Sequence, residues 1–78
     1  MLTKIDKLVL EYYYKHSIRS FSVPEVFSLL NLDDRDELRV RKELSSLGLI
    51  RPVVTNQTGT YYEISEYGKQ VHRNLETT

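Results

Sequence analysis

Apolar residues recur along this chain with two periods, and the switch from one to the other marks out its elements. In residues 3–16, Ile5, Leu8, Val9, Tyr12 and His16 fall at helical spacing and predict the buried stripe of a first helix. Thr3 and Asp6 have the spacing of a capping box, and an acid in the first turn suits the helix dipole. Successive helical residues are turned by about 100°, so Tyr12, Tyr13 and Tyr14 cannot all share that stripe. One or two of these tyrosines, together with Leu10, are expected at the surface or against a partner. Residues 18–21 are short and β-prone, as for a brief strand between two helices.

The second helical pattern opens sharply. Ser22 can cap, Glu25 completes a box three residues on, and Pro24 is tolerated in a first turn. Val26, Leu29 and Leu30, with Val23 or Phe27, predict its buried face, and Asn31 accepts the left-handed conformation that ends a helix. Asp33 or Asp34 then starts a third helix over residues 34–47, Asp34 and Glu37 having capping-box spacing. Val40, Leu44 and Leu47 form its stripe. The opposite face carries Arg35, Leu38, Arg39, Lys42 and Ser46, with Arg41 and Ser45 on the borders. Gly48 stops the helix, and Leu49 and Ile50 lead into a strand.

Beyond Ile50 the period changes to two. Residues 51–55 and 60–64 are β-rich runs joined by the polar loop Asn56-Gln57-Thr58-Gly59, which predicts a hairpin. Pro52 has no amide hydrogen, so its side of the strand should face a sheet edge. Tyr62 and Ile64 alternate onto one face, Tyr61 and Glu63 onto the other. Ser65 caps a last helix with the stripe Tyr67, Val71 and Leu75, leaving His72 at the surface and Arg73 near the cation-favouring C-terminal end. Gly68 in its first turn costs helix stability, which predicts close packing there. Residues 76–78 are expected to fray.

Composition narrows the picture. At 78 residues, 40% apolar and 28% charged, the chain reads as a soluble globular chain, one domain over 1–78. Cysteine is absent, which excludes thiolate chemistry and leaves a cytoplasmic setting as the default. No apolar run approaches the roughly 20 residues that span a bilayer, and no signal-peptide core is present. Neither His16 nor His72 has further metal ligands at a recognisable spacing. The carboxylates of residues 33–37 lack the glycine and distal glutamate of a calcium loop. No phosphate-cradling glycine loop occurs. No catalytic residue, metal or cofactor is therefore expected, and with no appended effector domain neither is ligand sensing.

The order helix, helix-turn-helix, Gly48-Leu49-Ile50, hairpin, then Tyr62-Glu63-Ile64-Ser65-Glu66-Tyr67-Gly68 resembles the winged helix-turn-helix superfamily, in particular small MarR-, ArsR- and PadR-type regulators. The resemblance covers nearly the whole chain and implies an α+β fold. That fold has a three-helix core, a β-hairpin wing over 55–60 and a C-terminal fourth helix. It implies double-stranded DNA as the partner, with residues 34–47 in the major groove. Arg35, Arg39 and Lys42 would meet bases and phosphates, as arginine pairs bidentately with guanine or phosphate. Leu38 would touch a thymine methyl, Ser45 and Ser46 would approach phosphates, and Arg41 and Arg51 would hold the flanking backbone. At the wing, Asn56, Gln57 and Thr58 would be the contacts. A transcriptional regulator of this size is expected to act as a homodimer, through the tyrosines of the first helix or through the last helix.

Charge leaves a second reading open. The formal net charge is zero, whereas a basic excess is the usual footprint of nucleic-acid binding. The wing tip has no Lys or Arg, and Asp33, Asp34, Asp36 and Glu37 crowd the start of the third helix. Acids early, bases later and i,i+4 pairs such as Glu37–Arg41 also describe an ordinary solvated helix face. A winged-helix module that binds protein through surfaces such as Leu38, and not DNA, fits the same residues.

Overall fold

A computed structural model of the chain describes residues 2–76. Four helices pack against a three-stranded antiparallel sheet: α1 (Lys4–Lys15), β1 (Phe21–Ser22), α2 (Val23–Leu29), α3 (Glu37–Ser46), β2 (Ile50–Asn56), β3 (Gly59–Ile64) and α4 (Glu66–Glu76). The strand order is β1-β3-β2, so the hairpin strand β3 is central. The fold is a winged helix-turn-helix: α1 to α3 around the core, the β2–β3 hairpin as wing, and α4 as a fourth helix. The expected tail lies outside the described residues beyond Glu76, the last residue of α4.

The capping box of α1 forms as expected. The Thr3 N–H donates to Asp6 Oδ2 (2.9 Å) and the Asp6 N–H donates to Thr3 Oγ1 (3.2 Å). Its buried face, however, is Asp6, Val9, Leu10 and Tyr13, not the stripe through Leu8, Tyr12 and His16. The two patterns share Val9 and differ by about one residue's turn. The observed one includes an acid, which an apolar pattern search passes over. Leu10 is accordingly buried and Leu8 exposed, and none of Tyr12, Tyr13 and Tyr14 is exposed. Tyr13 is sealed in the core, where its hydroxyl donates to the Phe21 carbonyl (2.7 Å) and so ties α1 to β1. The strand begins at Phe21; Ile18 stands exposed in the turn before it.

Ser22 caps α2 through the Glu25 N–H (3.3 Å), and Val23, Val26 and Phe27 are buried. Leu29 is exposed, two residues and therefore about 200° round from Phe27. Asn31 takes the left-handed conformation (φ 56°). The box expected between Asp34 and Glu37 does not form. Asp33 accepts the Arg35 N–H instead (2.9 Å), so residues Asp34–Asp36 make one 3₁₀ turn and α3 starts at Glu37. The Glu37 side chain goes forward to Arg41, with Oε2 3.2 Å from Nε. Val40 and Leu44 are buried as expected, but Leu47 is about half exposed. It lies at the helix end, where Gly48 (φ 75°) turns the chain, and Leu49 enters the core in its place.

The hairpin pairs Ile50 with Ile64, Arg51 with Glu63 and Asn56 with Gly59, with an irregularity between Pro52 and Val54 on the outer strand β2. Tyr62 and Ile64 pack inward as the alternation requires. The base of the wing is closed by Ser65. Its N–H donates to the Leu49 carbonyl (3.0 Å), and its hydroxyl lies 2.5 Å from the Gly48 carbonyl oxygen while accepting the Gly68 N–H (2.9 Å). Gly68 packs so closely that a Cβ there would lie 2.1 Å from the Leu49 carbonyl oxygen and 2.8 Å from Ile64 Cγ1. This contact sets the rotation of α4 and reverses two expectations. Tyr67 is turned out (56% exposed) and His72, one turn after Gly68, is buried (5% exposed). His72 stacks on Tyr14 (ring centroids 4.2 Å apart), with Nδ1 3.1 Å from Glu76 Oε1.

Alanine for glycine inside an unconstrained helix stabilises by about 0.5–1 kcal/mol. Gly68→Ala should instead destabilise by about 1–3 kcal/mol, because a backbone carbonyl must move; the midpoint of urea unfolding reads the sign. Burial is the main cause that pushes the Tyr13 hydroxyl far above its ordinary pKa. The unfolded chain then loses that proton at about pH 10 while the folded chain keeps it, so the stabilisation is complete below pH 10 and declines above it. Stability should fall by up to about 1.4 kcal/mol per pH unit from this group, and Tyr13→Phe should flatten the alkaline limb of denaturation midpoints against pH.

Candidate nucleic-acid interface

The turn that presents α3 is built from local geometry. The α2 helix closes through the Leu30 N–H to the Val26 carbonyl (2.9 Å), Asn31 reverses the chain, and the Leu32 N–H returns to the Phe27 carbonyl (2.9 Å). Val40 and Leu44 then fasten α3 to the core. Its outward face carries Leu38 (49% exposed), Arg39, Lys42 and Ser46, with Arg41 and Ser45 half-buried at the edges. Residues 38, 42 and 46 succeed one another by whole turns, giving an uncovered ridge along the helix.

Most of the bases in and around this helix are held by carboxylates of the same chain. Arg35 lies against Asp33, with Nη2 2.7 Å and Nε 3.0 Å from Oδ2. Those hydrogen bonds hold the Asp33 carboxyl below the usual carboxylate range and raise the Arg35 pKa. Arg39 reaches back to the buried Asp6, Nη1 to Oδ1 3.5 Å, with Asp36 3.8 Å from Nε. Arg41 pairs with Glu37 and Arg51 with Glu63. Arg51 also shares a cleft with Ser17, Ser65, Tyr67 and Lys69, none of them from α3. Among the described residues, Lys42 is the base on the α3 ridge that has no ion pair. The acids crowding the start of α3 are thus largely matched to arginines, and the surface they form is a row of ion pairs.

The serines are occupied too. Ser45 Oγ donates to the Arg41 carbonyl (2.7 Å) and Ser46 Oγ to the Glu43 carbonyl (3.2 Å). Each must rotate away from its own helix before it can donate to a phosphate. At the wing tip, Asn56 Oδ1 accepts from the Thr58 N–H (2.9 Å) and hydroxyl (2.5 Å), and Thr58 Oγ1 lies 3.1 Å from the Tyr61 hydroxyl. Asn56 and Gln57 are exposed, and their side-chain amides carry N–H donors. The arrangement can therefore offer one free ammonium, several arginines in exchangeable pairs, an apolar contact at Leu38 and neutral donors from the wing.

The residue missed by pattern reading is Asp6. Its capping role was legible, but its burial beneath α3 was not. The signal lay in the spacing 6, 9, 10, 13, which puts this acid in line with Val9, Leu10 and Tyr13 on one helical face. Among the described residues no cluster of three or more His, Asp or Glu side chains is placed to hold a metal ion, and no helix is long and apolar enough to cross a membrane.

No protein-family model matches the chain, and no curated protein matches it in sequence. Among solved structures it is similar to the heme sensor protein PefR from Streptococcus agalactiae, crystallised in complex with heme, with a TM-score of 0.77 and 19% identity. The match covers 96% of this chain and 52% of that one, so the chain spans about half the length of the protein it resembles. At that identity the likeness establishes the winged-helix fold.

Proposed function

We propose that the chain, residues 1–78 acting as one winged-helix unit, is a sequence-specific double-stranded-DNA-binding protein and a small transcriptional regulator working in the cytoplasm. The observation that carries this reading is the uncovered ridge Leu38–Lys42–Ser46 on the second helix of a helix-turn-helix. A helix with its side chains is about 10–12 Å across, and the major groove is about 12 Å wide. Lys42 supplies a phosphate contact, Leu38 an apolar contact to a thymine methyl, and Ser45 and Ser46 short donors at the groove edge. Arg35 and Arg51 stand well exposed in their ion pairs, which are weak in water, so a phosphate can replace the carboxylate; Arg41, whose partner Glu37 is mostly buried, meets the flanking backbone while keeping its pair. Asn56, Gln57 and Thr58 approach the neighbouring backbone from the wing.

The protein acts as a homodimer in this reading, since one unit offers few phosphate contacts. None of the tyrosines of α1 is exposed, so the interface proposed is the groove between α1 and α4. Lys4, Lys7, Leu8, Glu11, Leu75 and Glu76 line that groove. It combines exposed Leu8 with two bases and two acids, a composition able to complement itself across a two-fold axis. A protein-interaction role is the second reading, favoured by the exposed apolar residues Leu38, Val53 and Val54.

Fluorescence anisotropy on a random duplex across a salt series tests the proposal. Binding is expected at low salt and should weaken linearly in log K against log salt, by about 0.9 for each phosphate neutralised. Lys42→Ala should reduce that slope by about 0.9 per subunit, and sedimentation of the free protein should show a dimer that Leu8→Asp dissociates. Undetectable duplex binding at about 25 mM salt, where counterion release is most favourable, would sink the DNA reading in favour of protein recognition.

A further inference from the structure

We propose that Arg39, although it stands on the outward side of α3, is a positioning residue. Acting through Asp6, it sets the seat of the recognition helix against the first turn of α1 and makes no contact with nucleic acid. The inference deepens the DNA-binding reading, and its affinity measurements rest on that reading.

Asp6 anchors the contact from inside the fold. Its side chain is fully buried, 0% exposed, against 45% for Arg39. One carboxylate oxygen, Oδ2, accepts the Thr3 N–H (2.9 Å), which fixes the carboxylate in place. The other, Oδ1, is buried with no hydrogen bond of good geometry and faces Arg39 Nη1 at 3.5 Å. A carboxylate removed from water needs a compensating charge, and losing one partner of such a pair costs more than never having had the pair. Arg39 is the cation paired with Asp6.

The guanidinium has a partner at each of its three nitrogens. Nη1 faces Asp6 Oδ1, Nη2 lies 3.4 Å from Thr3 Oγ1, and Nε lies 3.8 Å from Asp36 Oδ1. The first two contacts join the N-terminal turn of α1 to the start of α3 across more than thirty residues of sequence. A phosphate that drew Arg39 outward would strand the buried Asp6 charge, a penalty that Lys42, about one turn further along the outward face, does not incur. Arg35 differs as well, because its partner Asp33 is exposed and loses little on separation. Two arginines four residues apart thus have opposite availability, decided by where their partners lie.

A charge-free replacement of the pair separates positioning from contact. Asp6→Asn keeps an oxygen for the Thr3 N–H, and Arg39→Met keeps an unbranched stem of similar reach. The thermal midpoint and the salt dependence of duplex binding are measured for wild type, both single variants and the double variant. Arg39→Met alone should lower Tm by roughly 12 °C or more, as expected for a chain of this size losing a buried ion's partner, and should weaken binding severalfold. Adding Asp6→Asn should restore most of both, with a salt slope equal to that of wild type. A double variant that regains Tm but keeps the weakened affinity, with a slope lower by about 0.9 per subunit, overturns the proposal and makes Arg39 a phosphate contact. Tm effects that simply add also overturn it, since the pair would then not be the tie.

If Arg39→Met fails to fold alone, the double variant still decides, because its slope reports phosphate contact. If wild type binds no duplex, the DNA reading fails separately, and the coupling in Tm alone judges the tie between α1 and α3.

Discussion

The carbonyl of Leu49 occupies the space that any side chain at position 68 would need, and much of the molecule is arranged around that contact. Leu49 follows the reversal at Gly48 that ends α3, and Gly68 lies in the first turn of α4, so their approach closes the wing at its base. Ser65 completes the junction: its backbone bonds Leu49, and its hydroxyl bridges the end of α3 and the start of α4. With that junction closed, the register of β2 against β3 is fixed by Ile50 and Ile64. The rotation of α4 follows, putting His72 beneath Tyr14 and Tyr67 in solvent. Glycine at 68 costs helix propensity and is kept because only a residue without Cβ permits the contact.

The opposite end of the core is held by α1, which meets α3 through Asp6–Arg39 and β1 through Tyr13 and the Phe21 carbonyl. Both ties use a polar group sunk into an apolar face, where an unmade bond is expensive. This changes how the charges of α3 bear on function. Counted along the sequence, Arg35, Arg39, Arg41 and Lys42 form a basic cluster suited to a phosphate backbone. In space they are sorted by partner: Arg39 held by a fully buried acid, Arg41 by a mostly buried one, Arg35 by an exposed one and Lys42, among the described residues, by none. A balanced net charge and a binding helix are compatible under that sorting, because few residues need be free at once.

Pattern reading succeeded where structure is set by neighbours in the chain. The Thr3–Asp6 box, the Ser22 cap, the left-handed Asn31, the stop at Gly48 and the hairpin each involve residues a few positions apart or one backbone conformation, while the close packing of Gly68 was legible from the glycine and its partner Leu49 was not. It failed where two local choices were nearly equal. Asp33 and Asp34 could each cap, and Asp33 won because it can bond both the Arg35 N–H and the Arg35 side chain. Leu8 and Leu10 could each face inward, and the choice fell to Leu10 because the buried face of α1 includes an acid. Leu47 looked like the end of a stripe, but the helix stops before it and Leu49 fills that part of the core.

From its sequence alone, the chain's order of elements, their punctuation and the winged-helix outline were determined, since caps, turns and periodicity act over one to four residues. The tertiary structure decided the rotation of each helix about its axis and the partner of each charge. Rotation is poorly specified locally, because adjacent stripes on one helix can be almost equally apolar and only the surface packed against them selects between them. Charge partners are not local at all, as Asp6 and Arg39 show. Which arginine is free to leave its place therefore became visible only once α1 and α3 were brought together.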